Sequence, residues 1–108
     1  MATPESKVKA ACVKLFKAHD VYYFFPVMNG MGRAGIPDII CCVEGTFLAV
    51  ECKAGANKPT ALQERELKAI KDAGGVSVVI NENNLTMLDE LIKEIKDGRF
   101  LRRCEDPA

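Results

Sequence analysis

Apolar residues recur at helical spacing near the start of the chain. The positions that share this face are Val8, Cys12, Leu15 and Phe16. Steps of three and four residues place them on one side of a helix. The segment opens with Thr3-Pro4-Glu5, which combines a capping threonine, a proline suited to the first helical position and an acid favoured in the first turn. We predict that the first helix begins here.

Two later segments have the same periodicity. Residues 60–73 (TALQERELKAIKDA) are amphipathic and are followed by two glycines, which commonly end a helix. The last apolar face follows Asn83 or Asn84, either of which can cap a helix, and stops at Gly98. Its members are Leu85, Leu88, Leu91, Ile92 and Ile95.

Apolar and β-branched runs between these helices indicate strands. They are residues 21–28 (VYYFFPVM), 36–43 (IPDIICCV), 46–53 (TFLAVECK) and 76–80 (VSVVI). Pro26 favours an edge position for the first run, and the last run is typical of a short buried strand. A glycine-rich loop, residues 29–35, precedes the second run. The order of elements predicts an α/β fold with one mixed sheet flanked by helices.

Three charged residues lie in the second and third runs, which otherwise have the composition of a core. If Glu44-Gly45 forms a two-residue turn, with glycine supplying a positive φ, the two runs form a hairpin. Asp38 then faces Glu51, and alternation along the strand places Lys53 on the same face. A four-residue loop would keep this register.

Facing carboxylates destabilise a hairpin unless a positive charge lies between them. Carboxylate oxygens are the ligands that Mg²⁺ prefers, so Asp38 and Glu51 predict a divalent-cation site. Lys53 adds a second positive charge beside them. Glu5 extends the apolar face of the first helix towards the sheet and is a candidate third ligand, or else a solvated acid that favours a helix amino terminus.

Composition sets limits on the class of protein. With 108 residues and 48% hydrophobic content, residues 1–108 form a single domain with one core. The five cysteines form no CxxC pair, which favours reduced thiols and a cytoplasmic location over a zinc site or a disulfide framework. Fifteen basic and fifteen acidic residues balance, so the chain is no strongly basic nucleic-acid binder, and such contacts must come from local patches or a bound metal. No run approaches the roughly 20 apolar residues of a membrane helix, and no signal peptide is evident.

The charged residues also carry a resemblance. Pro37-Asp38 followed by Glu51-Cys52-Lys53 has the spacing of the PD-(D/E)XK nucleases. The longer pattern resembles the virus-type replication-repair nuclease (VRR-NUC) branch over residues 5–80, through GIPD, FLAVECKAG, Thr60 with Gln63, and AGGVSVVI. The resemblance implies a small restriction-endonuclease-like core and a metal-dependent endonuclease that hydrolyses DNA, as in small phage members found in bacterial or phage-infected cells.

The family's functional residues map onto this sequence one by one. In the family the PD aspartate and the ExK glutamate bind Mg²⁺ or Mn²⁺, which correspond here to Asp38 and Glu51. The lysine, here Lys53, positions or activates the attacking water. A glutamate of the first helix adds a ligand, here Glu5, and the carbonyl of the residue before the lysine, here Cys52, often ligates as well.

Three further residues are candidates for the site. Gln63 is explained by a capping box with Thr60, but the family also places a glutamine at the edge of the site, so we predict it as a catalytic residue too. Arg33 lies in the glycine-rich loop, where it can grip a phosphate, and Lys58 follows the third strand. We predict that both contact DNA. The alternative for Arg33 is a solvated loop residue, and scattered surface lysines such as Lys58 usually make no such contact.

Other residues have simpler explanations. His19 lies where a cation stabilises a helix carboxyl terminus, and Cys41 and Cys52 are expected to pack on the sheet face opposite the carboxylates. Residues 22–25 (YYFF) offer aromatic side chains to both faces of a strand, one for the core and one for a partner subunit, with base stacking as an alternative. The aromatic run therefore favours a homodimer. The small phage nucleases that this chain resembles are similar to dimeric resolvases of branched DNA, and this resemblance implies a homodimer that cuts branched or four-way-junction DNA. The alternative is a non-catalytic DNA-binding module on the same fold.

Overall fold

A computed structural model describes residues 3–27 and 34–98 of the chain. Its elements are α1 (Pro4–Ala18), β1 (Tyr22–Phe24), β2 (Ile39–Val43), β3 (Thr46–Cys52), α2 (Ala61–Asp72), β4 (Val76–Ile80) and α3 (Leu85–Lys96). The four strands form one sheet in the order β1-β2-β3-β4. The first three are antiparallel, and β4 runs parallel to β3. The predicted α/β fold with a mixed sheet is confirmed.

The hairpin of β2 and β3 has the predicted register, with Ile39 opposite Val50 and Val43 opposite Thr46. Glu44 (φ 48°) and Gly45 (φ 81°) are both left-handed. The tight hairpin turn that matches the twist of its strands requires a positive φ at both central residues. The register therefore depends on a turn that glycine makes easy and that Glu44 also adopts.

The two edge strands differ from expectation. β1 has three residues, fewer than the predicted run, because the chain leaves the sheet before Pro26. Residue 28, the last of that run, lies outside the described ranges. β4 is half-buried, not fully buried, because it forms the opposite edge of the sheet and has a paired neighbour on one side alone.

One face of the sheet packs against α1 and α3 and forms the core. The helices contribute Val8, Cys12, Phe16, Leu88, Ile92 and Ile95, and the strands contribute Ile39, Cys41, Val43, Leu48, Val50, Cys52 and Ile80. Helix α2 lies on the other face, where the Ser77 hydroxyl donates a hydrogen bond to the Leu67 carbonyl (2.8 Å). The predicted packing role of Cys41 and Cys52 agrees with their burial.

Gly35 allows the start of α2 to lie against the segment that enters β2. Its φ is +83°, and a Cβ added there would come within 2.5 Å of the Leu62 carbonyl oxygen. A larger residue would push α2 away from the hairpin. This close approach covers the side of the sheet on which Glu51 lies.

The helix starts agree with the sequence in two of three cases. The Thr3 hydroxyl accepts from the Ser6 N–H (3.1 Å), and Thr60 begins α2 with a complete capping box. Asn84 stands at the start of α3, but its side chain does not cap the helix. Its Oδ1 accepts from the Asn81 N–H (2.7 Å) and braces the preceding turn. Among the described helices, none has the length and apolar character needed to cross a bilayer.

Candidate functional site

The candidate site forms where β3 ends beside the entry to β2 and the first turn of α1. The Lys53 ammonium lies 3.3 Å from Glu51 Oε2 and 3.9 Å from Glu5 Oε1. The chain end of β3 thus supplies a carboxylate and a cation on one face, as the alternation predicts, and α1 brings a second carboxylate to the same cation. Residue 5 is far in sequence from residues 51 and 53, and the three meet here.

Glu51 is the unusual residue of the site. It is 1% exposed, and its Oε1 has no hydrogen-bond partner among the described residues. Burial, reinforced by the negative charge of Asp38, raises the pKa of Glu51 from 4.5 to about 7, although Lys53 opposes the shift. A buried carboxylate oxygen without a donor is costly, so this position favours a ligand that brings positive charge.

Asp38 lies one residue before β2, just past the last pair of the hairpin, on the side of Glu51. Its Oδ2 accepts a hydrogen bond from the Cys52 N–H at 2.8 Å. Asp38 therefore has a structural function as well, because this hydrogen bond anchors the end of β3. The short aspartate side chain readily satisfies a nearby backbone donor, which is the signal that the sequence offered.

A cleft of about 220 Å³ opens at these residues. Its lining consists of Glu5, Ser6, Lys9, Asp38 and Cys52. At about 30 Å³ per water, it has room for roughly seven water molecules. The cleft therefore accommodates a hydrated ion or a phosphate group.

The oxygen donors present here fit Mg²⁺ or Mn²⁺, which prefer carboxylates, carbonyls and water. The observation that supports this fit is that the buried Glu51 Oε1 has no hydrogen-bond partner among the described residues. Within residues 3–27 and 34–98, however, no three His, Cys, Asp or Glu side chains already converge as a metal cluster. Lys53 instead lies between Glu5 and Glu51 and can offset one of their two negative charges.

The other predicted site residues have mixed outcomes. The Gln63 Oε1 accepts from the Thr60 N–H (2.8 Å), so the capping function is confirmed and the catalytic function stays a prediction. Lys58 is exposed in the loop after β3. The same loop is tied to the end of β4 because both Glu82 carboxylate oxygens accept from the Gly55 N–H (2.5 and 3.0 Å). Arg33 lies outside the described residues.

His19 belongs to a different centre. It ends α1, and its Nε2 lies 2.6 Å from Asp89 Oδ1 on α3. The expected position of His19 at the end of the first helix is confirmed. Its contact with Asp89 on α3 was not indicated by the sequence.

The aromatic run divides between the two faces of β1. The Tyr23 ring packs against Phe16 at 5.6 Å between centroids. Tyr22 and Phe24 are on the other face and are 69% and 46% exposed. The predicted division into a core side and a free side is confirmed, whereas the occupant of the free side stays a prediction.

Comparison with known proteins adds two similarities. No protein-family model matches the sequence. A solved structure described as a VRR_NUC domain superposes with a TM-score of 0.64 over 89% of this chain and 97% of its own, at 21% identity. The chain has the VRR_NUC fold.

A curated phage protein resembles part of the chain. "Putative nuclease p44" of Acyrthosiphon pisum secondary endosymbiont phage 1 is 34% identical over 58 residues, which are 53% of this chain and 62% of the phage protein. The match thus spans less than two thirds of that relative's length. The expected resemblance to VRR-NUC domains therefore agrees with both the fold and a phage sequence.

Proposed function

We propose that this protein is a metal-dependent endonuclease that hydrolyses phosphodiester bonds in DNA. The single observation that carries the proposal is the buried Glu51 Oε1, which has no hydrogen-bond partner among the described residues. Glu51 directly precedes Cys52, which lines the cleft together with Asp38 and Glu5. The VRR_NUC fold and the name of the phage relative support the same activity.

Glu51, Asp38 and Glu5, with the Cys52 carbonyl, would hold Mg²⁺ or Mn²⁺. Such an ion supplies Lewis acidity at the scissile phosphate and lowers the pKa of a bound water. Asp38 has one oxygen on the Cys52 N–H, which leaves its Oδ1 to face a ligand. The raised pKa of Glu51 is consistent with a carboxyl group that needs a nearby cation in order to ionise.

Lys53 has two functions in this proposal. In the free protein its ammonium contacts Glu51 and Glu5 and can offset one of their two negative charges. When substrate is bound, the same group donates to the attacking water or to the phosphate oxygen on which charge develops. A lysine so close to the carboxylates acts on the reaction more than on docking, since its charge lies where the transition state changes charge.

Gln63 would lie at the edge of the site. Its Oε1 is committed to the capping box, so its Nε2 remains the group able to donate to substrate. Arg33, which lies outside the described residues, and the exposed Lys58 would contact the DNA backbone.

A homodimer acting on branched or four-way-junction DNA is the finer form of this proposal. One domain provides one site, and a two-fold dimer provides the two sites that cutting two strands requires. Tyr22 and Phe24 on the edge strand β1 are exposed apolar residues of the kind that mark an association surface. Zero net charge removes long-range repulsion between copies.

The test is a cleavage panel with linear duplex, flap, fork and four-way junction, each with Mg²⁺, Mn²⁺ or chelator. We expect metal-dependent cuts, fastest on the junction, and a dimeric mass by light scattering. Full activity in chelator would contradict the metal dependence. A monomer that nicks duplex as fast as junction would contradict the finer proposal, and salt-sensitive binding without any cleavage would favour the non-catalytic DNA-binding module.

A further inference from the structure

Lys9 enters the cleft from the same side of α1 as Glu5. It lies four residues after Glu5, about one helical turn, and lines the cleft together with Ser6, Asp38 and Cys52. The sequence alone indicates no function for Lys9. The structure places it at the opening of the candidate site.

An aromatic ring holds the Lys9 side chain in place. Its ammonium lies 4.3 Å from the centroid of the Phe25 ring, and that ring in turn contacts Tyr23 at 5.9 Å between centroids. A cation over a ring face is attracted by about 0.5–1 kcal/mol at an exposed site. This contact orients the ammonium but leaves its hydrogen-bond donors unused.

The ion pair that helix geometry favours is not formed. A glutamate four residues before a lysine normally pairs with it, yet Glu5 Oε1 faces Lys53 at 3.9 Å. Among the described residues Lys9 makes no ion pair, whereas Lys53 contacts two carboxylates. The positive charge of Lys9 is therefore available to a ligand.

A phosphate entering this cleft meets two carboxylates of its lining, Glu5 and Asp38, which repel it. Lys53 is already engaged with Glu5 and with the buried Glu51. We propose that Lys9 binds a backbone phosphate of the nucleic-acid substrate beside the bond that is cut, and that Phe25 positions the ammonium for this contact. The inference rests on the proposed nuclease function, and it adds a substrate-binding residue to that site.

The first measurement is the salt dependence of DNA binding in a Glu51→Gln background, in which cleavage is removed. Binding is followed by fluorescence anisotropy of labelled duplex and four-way junction. The affinity K falls as salt is added, and the loss of one phosphate contact makes the slope of log K against log salt less steep by about 0.9. We expect Lys9→Met to make this slope less steep by about 0.9 and to weaken binding about 5- to 10-fold at about 50 mM salt. This loss is small beside the loss of affinity that added salt causes for an interface with many phosphate contacts.

Three matched variants separate charge from packing. Lys9→Arg keeps the charge and should keep the slope. Phe25→Leu removes the ring that positions Lys9, so it should weaken binding modestly without changing the slope. Lys14→Met removes an equal charge from an exposed position of α1, about 140° around the helix from Lys9, and should match the parent protein.

Kinetics in the active background give a second readout. Lys9→Met should raise KM several-fold and change kcat little, because a contact made equally in ground state and transition state affects binding alone. If the parent protein cleaves DNA and Lys9→Met keeps the parental KM, affinity and salt slope, the inference is overturned and the proposed function stands. Lys9-dependent, salt-sensitive binding by a protein that cleaves no substrate would support the phosphate contact and refute the hydrolytic proposal. If the parent protein binds no DNA, both are refuted.

Discussion

Two carboxylates that both contact basic residues have opposite environments in this molecule. Asp89 is partly exposed and has both oxygens paired, Oδ1 with His19 at 2.6 Å and Oδ2 with Lys93 at 3.0 Å. These contacts, that with His19 first, hold its pKa below the usual value. Glu51 is buried, one of its oxygens has no hydrogen-bond partner in the described part of the chain, and its pKa is raised. The same chemical group is satisfied in one place and unsatisfied in the other.

Helix α1 connects the two centres. Its carboxyl end places His19 against Asp89 on α3, and its first turn places Glu5 against Lys53. The first pair joins α1 to α3, and both oxygens of Asp89 have a basic partner there. The second pair belongs to the candidate site, where the carboxylates outnumber the lysines. Perturbed carboxyl groups in a cleft are typical of functional sites, and paired surface carboxylates are typical of structural ones.

The largest expected difference between the two centres is in catalysis. We expect Glu51→Gln to lower the rate of DNA cleavage by roughly 100- to 1,000-fold, the scale of losing an electrostatic group at a transition state. Asp89→Asn, which removes the same type of charge from the paired centre, should leave the rate within about two-fold. Cleavage of labelled four-way junction under single-turnover conditions measures both. Equal losses in the two variants would mean that the centres do not differ in function.

The second expected difference concerns pH and stability in chelator. Because the pKa of Glu51 is raised from 4.5 to about 7, the folded protein binds this proton more tightly than the unfolded chain. The stabilisation is complete below about pH 4.5 and is lost as the pH rises through about 7, with a total of about 3 kcal/mol at most. Urea unfolding between about pH 5 and pH 8 tests this, and Glu51→Gln should show a flatter profile over this range. A wild-type profile as flat as that of the variant would show that Glu51 ionises freely in the fold.

A smaller effect is expected at Asp38, which has both a structural and a proposed ligand function. Asp38→Asn keeps a carbonyl oxygen that can accept from the Cys52 N–H, so its stability in chelator should be close to wild type or higher. Asp38→Ala leaves that N–H unpaired and should cost about 1–2 kcal/mol. Both variants should lose cleavage. Thermal unfolding of the two side by side distinguishes the hydrogen bond from the charge, and equal stabilities would remove the anchoring function assigned here.

The smallest effect is expected at the paired centre itself. Since the pKa of Asp89 is lowered, its contribution to stability is present above its ordinary value of 3.8 and is lost as the pH falls through its lower, folded-state pKa. Asp89→Asn should therefore lower the Tm modestly near neutral pH and lose this difference in acid. The direction is opposite to that at Glu51, whose contribution is lost as the pH rises. A Tm deficit of Asp89→Asn that grows in acid would contradict the assignment.

Much of the fold could be predicted from the sequence because its signals are local. Thr3 and Thr60 mark helix starts through caps that depend on a few neighbouring residues. The register of the hairpin follows from the Glu44-Gly45 turn, which also places Glu51 and Lys53 on one face. Asn84 is an exception, since its side chain found partners at Asn81 and Val79 outside the helix. Local propensity does not reveal which of several nearby backbone groups a polar side chain will choose.

The candidate site was predicted in part for the same reason. The PD and ExK residues are close in the hairpin and could be placed by pairing alone. Lys9 was missed because a lysine at helical spacing after a glutamate ordinarily indicates a surface ion pair. Its contact with Phe25 depends on how α1 crosses the strand that follows it, which no local pattern specifies.

The sequence by itself determined the order of elements, the hairpin register and the presence of a carboxylate pair with a lysine beside it, because each depends on neighbouring residues and on the two-residue period of a strand. The tertiary structure alone decided that Glu51 is buried with one oxygen that no residue in ranges 3–27 and 34–98 contacts by a hydrogen bond. It also decided that Asp38 anchors β3, that His19 pairs with Asp89 and that Lys9 faces the cleft. Burial and partner choice depend on packing between elements distant in the chain, and a carboxylate's pKa follows from that packing.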